Sequence, residues 1–196
     1  LQGRARDEGG VTTPPRRLLA RLAGGDRRSI GESDAVVATV LTTGTGVSEI
    51  IEGLDSADPV IRMRCGDVLE KLSRRNPGCL LPHRARLLAS AKTTAEQELR
   101  WHLAQMLPRL PMTARQRRDV AAVLQRYLTD PSRIVRVSAL QATVDLAGDD
   151  ARLRAMAAVQ VKAALSAGSP SEKARARKLV RITESWSEAA PEATLV

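Results

Sequence analysis

The sequence has almost no aromatic residues: phenylalanine is absent, and tryptophan and tyrosine together make up 2% of its 196 residues. A chain of this length forms one domain or one short repeat array. It can bury enough surface to fold without stabilising disulfides or bound metals. The core must therefore be aliphatic. Two cysteines exclude a disulfide-rich scaffold and predict a reducing, cytoplasmic location. No apolar run is long enough to cross a bilayer, so we expect no membrane partner.

Sequence motifs of catalysis and cofactor binding are also missing. The chain has no phosphate-binding loop, dinucleotide fingerprint, nucleophile elbow or His-Glu-x-x-His pair. Cys79 and His83 are spaced to share one side of a helix, but no further ligand completes a zinc site. Paired carboxylates, as at Glu49 and Glu52, flank predicted helix ends, where an acid favours the helix dipole. We expect no catalytic residue, metal, cofactor or small-molecule substrate.

The chain contains an internal repeat instead. Four similar segments place a basic residue at Arg62, Arg100, Arg136 and Lys173, so the repeat advances by 38, 36 and 37 residues. This period is close to that of solenoids built from two-helix units. In each segment the apolar residues follow the period of an amphipathic helix. The pairs at 58–59 (Asp-Pro) and 169–170 (Ser-Pro) mark predicted helix starts.

Each repeat is predicted to contain a second helix. We expect these helices at about 82–91, 114–128 and 151–167, after turns marked by proline and glycine. Capping-box spacings occur at Thr113 with Gln116 and at Ser169 with Glu172. Upstream, apolar residues predict two helices within 36–54, which would cap the array, and a short helix at 16–23. We therefore expect a single domain over 16–187, between flexible segments at 1–15 and 188–196.

The repeated pattern resembles the HEAT repeat. It consists of an Asp-Pro pair, then an apolar residue followed by arginine, then a small residue three positions on, as in Ile61-Arg62 and Cys65. The likeness covers about residues 34–187. The third unit has two extra residues, and the fourth has Glu172-Lys173 in place of the apolar–arginine pair. The chain as a whole resembles small bacterial HEAT-repeat proteins. This resemblance implies an all-α fold: a right-handed, armadillo-like α-solenoid (α-α superhelix) of about four to five two-helix repeats.

The resemblance also implies a structural role for the repeat arginine. In the HEAT family this residue commonly braces neighbouring repeats by contacting Asp residues. The role would fall to Arg62, Arg100 and Arg136.

Trp101-His102 is the most conspicuous dipeptide outside this pattern. A tryptophan beside Arg100 could stack on a nucleic-acid base or hold a cation. However, the equivalent positions of the other repeats are all apolar, which favours packing against the next repeat. We therefore interpret Trp101 as a packing residue and His102 as its polar neighbour at the edge of the core.

Charge is distributed unevenly along the chain, whose net charge is +9. Residues 71–128 carry 12 basic and 3 acidic side chains, whereas residues 31–70 carry 2 basic and 8 acidic ones. In HEAT-like arrays the second helices line the concave face, so the resemblance implies a basic groove there. Arginine suits bidentate contact with phosphate or carboxylate, although a charge run can equally be a solvated face. The candidate groove residues are Arg84, Arg86, Arg115, Arg117, Arg118, Arg126, Arg152 and Arg154.

HEAT arrays serve mainly as binding scaffolds, so the resemblance implies a non-enzymatic scaffold that binds a protein partner. The alternative is a nucleic-acid-binding protein that uses the basic groove, an inference that the neighbouring acidic block weakens. A HEAT-like DNA glycosylase is a variant of that alternative, but Gln105 lies where an Asp would follow Trp101 by one helical turn. A lyase or assembly factor acting on another protein is a third hypothesis, which no residue favours.

Overall fold

The computed structural model describes residues 17–26 and 28–188, with side chains to residue 186. The predicted flexible segment at 1–15 lies outside the described residues, as does the one at 188–196 apart from Glu188, the last residue of α10. Within the described residues all regular structure is helical, which confirms the all-α class. The α-helices are α1 (Arg17–Leu22), α2 (Ser33–Thr43), α3 (Val47–Glu52), α4 (Pro59–Arg75), α5 (Arg84–Thr93), α6 (Gln97–Met106), α7 (Ala114–Tyr127), α8 (Arg133–Ala147), α9 (Ala151–Ala167) and α10 (Pro170–Glu188). Short 3₁₀ helices span Gly53–Asp55, Pro77–His83 and Leu107–Arg109.

Side-chain caps mark the starts of α4, α7 and α9. The backbone N–H of Val60 donates to the Asp58 carboxylate at 2.8 Å, with Pro59 in the first position of α4. Thr113 and Gln116 form the predicted capping box at the start of α7. Helix α5 begins two residues later than predicted, because residues 77–83 form a 3₁₀ helix that contains Pro82. Proline disfavours α conformation in the residue before it, which delays the α-helix.

The helices pack with their neighbours in chain order. Helices α2, α4, α6, α8 and α10 form one row in which each packs against the next. Helices α5, α7 and α9 lie between them in the sequence and pack mainly against members of this row. The core among these helices is aliphatic, as the composition predicts, and its largest fully buried side chains are almost all leucine. Among the described helices, none combines the length and apolarity needed to cross a lipid bilayer.

Trp101 and His102 lie on α6 beside the core. Trp101 is partly buried and packs against the core cluster, and its ring meets that of His102 edge-on with centroids 5.1 Å apart. His102 is more deeply buried than expected, with 8% of its surface exposed, and its Nδ1 has no hydrogen-bond partner among the described residues. Burial is the main cause that lowers the pKa of His102 to about 4, and nearby carboxylates oppose it only in part.

We expect the free energy of unfolding to fall by about 2 kcal/mol between pH 7 and pH 5 through His102. The imidazole is protonated near pH 6.5 in the unfolded chain, whereas the folded chain keeps it neutral down to about pH 4. Acid therefore favours the unfolded state in this interval. Urea unfolding at both pH values measures the fall, which His102→Leu should remove. His83→Leu is the control that should retain it, and equal stability of the wild type at both pH values would contradict the interpretation.

Candidate binding cleft

The three repeat arginines lie at equivalent places in the row of α4, α6, α8 and α10. Each forms an ion pair with an acid at the start of the next helix in the row. The pairs are Arg62 with Glu96 before α6, Arg100 with Asp130 before α8 (3.1 Å), and Arg136 with Glu172 in α10 (3.0 Å). Arg62 and Arg136 also donate to backbone carbonyls just before their own helices. These contacts link successive helices of the row at a recurring position.

The acidic block (residues 31–70) forms many ion pairs with the start and middle of the basic block (residues 71–128). Lys71 contacts Asp34 at 2.6 Å and Asp67 at 2.8 Å. The buried Glu70 pairs with Arg74 and with Arg109, the latter at 2.7 Å. Arg86 pairs with Asp55. The opposite charges of residues 31–70 and 71–128 thus neutralise each other within the chain, which reduces the positive surface available to a ligand.

Five of the candidate groove arginines have intramolecular partners. Three hold loops or helix ends: Arg84 donates to the carbonyl of Pro111, Arg117 to those of Leu146 and Ala147, and Arg126 to that of Lys92 at 3.4 Å. Arg86 pairs with Asp55, as described above. Arg154 donates to the Gly148 carbonyl at 2.6 Å, pairs with Asp149 at 2.7 Å, and lies 5.5 Å from the centre of the Trp186 ring. The guanidinium groups of these five arginines are engaged within the chain, which makes them less available to a ligand.

Arg115, Arg118 and Arg152 are the three groove candidates that remain available. Each side chain is exposed, and none of the three guanidinium groups forms a hydrogen bond or ion pair with another described residue. Arg115 lies in a shallow cleft between α5 and α7. Arg118 and Arg152 line a second cleft, between α7 and α9. We call this second cleft the α7–α9 cleft.

The α7–α9 cleft has a volume of about 350 Å³ and an apolar lining. Its apolar residues are Ala121 and Ala122 of α7 and Leu153 and Met156 of α9, and a small deeper pocket continues beneath them against α8. Helices α7 and α9 each pack closely on α8 but hardly on each other. The small side chains of Ala121 and Ala122 leave the space between them open.

The two ends of the cleft differ in charge. Arg118 lies early in α7 and Arg152 in the first turn of α9. About two helical turns later on both helices, Gln160 of α9 donates to Gln125 of α7 at 3.3 Å. This amide bridge joins the two helices and bounds that side of the cleft. The cleft therefore runs from a cationic end to a neutral, closed end.

The sequence indicates the cationic residues of the cleft but not its apolar lining. Arg118 and Arg152 were among the candidates, whereas Met156, Leu153 and the glutamine bridge were not. The adjacent small residues Ala121 and Ala122 are the only local signal of a gap, and small residues are common on packed helices as well.

No protein-family model matches the chain, and a search of curated proteins finds no significant match. The structure is similar to the crystal structure of an engineered protein from the Northeast Structural Genomics Consortium, with a TM-score of 0.60 and 15% sequence identity. The similarity covers 87% of this chain and 79% of that one. At this identity it concerns the fold alone.

Proposed function

We propose that the chain is a HEAT-like α-solenoid that acts as a non-enzymatic scaffold and binds a protein partner in the α7–α9 cleft. The recurring arginine–acid pairs along α4, α6, α8 and α10 support the repeat architecture. In such an array α5, α7 and α9 would be the second helices of successive repeats. The observation that carries the function is the apolar cleft with two unpaired arginines at one end.

A protein partner fits this surface better than a nucleic acid. Proteins that bind duplex DNA neutralise several phosphates at once, which needs a row of available cations. Five of the eight groove arginines have intramolecular partners, so the row is interrupted. Protein interfaces are anchored by apolar side chains that fill pockets, and an apolar cleft provides such a pocket.

A photo-crosslinking amino acid at Ala122 tests this proposal. Ala122 lines the cleft and is exposed, and Ala174 is exposed on α10 outside the cleft, so a crosslinker there is the matched control. In an extract of the source cells we expect a protein adduct from position 122 and none from 174. The Arg118→Gln/Arg152→Gln variant should weaken the adduct. No adduct at 122, or equal adducts at both positions, would contradict the proposal.

An electrophoretic shift of duplex DNA tests the nucleic-acid alternative with the same variants. We expect no shift near physiological salt. A different result would favour a nucleic acid as the partner. That result is a shift that weakens steeply between about 50 and 200 mM salt and that Arg118→Gln/Arg152→Gln abolishes.

A further inference from the structure

We infer that the α7–α9 cleft recognises a short acidic segment of a partner protein, in which carboxylates lie next to one aliphatic side chain. This inference rests on the proposed function and specifies the chemistry of the partner. It follows from the size of the cleft, from its lining and from the charges at its open end.

The size and lining of the cleft select the aliphatic part. A volume of about 350 Å³ is near the lower end of the range for ligand pockets, about 300–1,000 Å³. It accommodates one or two side chains but not the width of a helix. Leu153 and Met156 provide apolar contacts, and Met is a flexible side chain that adapts to differently shaped groups. An unbranched or γ-branched aliphatic side chain is the complementary occupant.

The open end of the cleft selects the acidic part. Arg118 and Arg152 are exposed, unpaired and positioned on the same cleft, and the guanidinium fork matches a carboxylate in bidentate geometry. Asp150 also lies at this end, where its carboxylate caps α9 by accepting the N–H of Leu153 at 3.0 Å, so two positive charges stand here against one negative charge.

The order of groups along the cleft sets the order in the ligand. The carboxylates belong at the arginine end, and the aliphatic side chain belongs between that end and the bridge of Gln125 and Gln160. The bridge limits the length of chain that the cleft can take. A segment of a few residues with acid and aliphatic side chains adjacent in sequence meets this requirement.

Fluorescence polarisation with three labelled peptides tests the inference. The first peptide alternates Glu and Leu, the second has Gln in place of Glu, and the third has Ser in place of Leu. We expect saturable binding of the first peptide and at least tenfold weaker binding of the other two. The Arg118→Gln/Arg152→Gln variant should bind the first peptide at least tenfold more weakly than the wild type does.

The matched control variant is Arg177→Gln/Arg181→Gln, which removes the same charge from two exposed arginines of α10. It should bind the first peptide as the wild type does. An equal loss of peptide affinity in both double variants would mean that net charge alone attracts the peptide, and would overturn the inference. All four residues are exposed, and circular dichroism checks that both variants keep their helicity.

The remaining outcomes separate this inference from the proposed function. An adduct at position 122 together with no preference among the peptides would overturn the acidic–aliphatic specificity but leave the scaffold proposal standing. Failure of both the crosslink and the peptides would overturn both. Self-association that Arg118→Gln/Arg152→Gln abolishes would assign the cleft to a second copy of the chain, and would also overturn the inference.

Discussion

Replacing Arg64 by alanine is expected to destabilise the protein by about 3 kcal/mol, because a buried guanidinium holds the segment between α1 and α2. Arg64 is only 2% exposed. It donates to the backbone carbonyls of Leu22 at 2.8 Å, Gly24 at 2.7 Å and Ser29 at 3.1 Å. Without the guanidinium these oxygens lose charge-assisted hydrogen bonds, and the buried carbonyl of Leu22 loses this partner. Urea unfolding measures the change.

The segment can wrap around Arg64 because it contains glycine where the backbone needs it. Gly31 has a φ of +54°, and a Cβ there would lie 2.8 Å from the Arg64 guanidinium carbon. Other side chains would be strained at this φ and would also collide. The segment and Arg64 therefore depend on each other.

Arg75→Ala is the control for the Arg64 prediction. Arg75 lies at the exposed end of the same helix, and its loss should change stability by less than about 0.5 kcal/mol. Hydrogen exchange should also show faster opening of residues 23–26 and 28–32 in Arg64→Ala. Equal stability of the two variants would show that the carbonyl contacts contribute nothing measurable.

Replacing Glu70 by glutamine is expected to destabilise the protein by about 1–2 kcal/mol, because the buried carboxylate loses charge-assisted hydrogen bonds to two partly exposed arginines. Glu70 is 1% exposed and accepts from Arg74 at 2.9 Å and Arg109 at 2.7 Å. Burial alone would raise the pKa of Glu70, but the hydrogen bonds and charges of these arginines outweigh it and hold the pKa below its usual value. The carboxylate therefore stabilises the fold at neutral pH, and this contribution falls in acid once the carboxylate is protonated.

Thermal and urea unfolding compare Glu70→Gln with Glu184→Gln, an exposed acid on α10. The free energy of unfolding of the Glu184→Gln control should lie within about 0.5 kcal/mol of that of the wild type. A Glu70→Gln variant as stable as the control would mean that a neutral amide satisfies both arginines equally well.

The sequence predicts the helices and the position of the repeat arginines because both leave a periodic pattern. Asp58, Thr113 and Gln116 cap helices as predicted, since capping depends on residues only two or three positions apart. The structural role of Arg64 was not predicted, although Arg64 lies two residues after Arg62. Its partners are backbone carbonyls, which every residue has, so no residue type marks them.

Which arginines remain available to a ligand could be predicted only in part, for the same physical reason. Charge counts identify arginines but do not tell which of them bind carbonyls, as Arg84 and Arg117 do. The α7–α9 cleft depends on how far apart two helices lie, which α8 determines by packing between them. Its apolar lining therefore became visible only in three dimensions.

The most direct test of the cleft is the methyl spectrum of the four methionines during titration with the Glu/Leu peptide. Met156 lines the cleft, whereas Met63 and Met106 are buried elsewhere in the protein. We expect the Met156 methyl resonance to shift saturably, with Met63 and Met106 unchanged, and the shift to be lost in Arg118→Gln/Arg152→Gln. A bound peptide that leaves Met156 unchanged, or no binding at all, would contradict the assignment of the α7–α9 cleft.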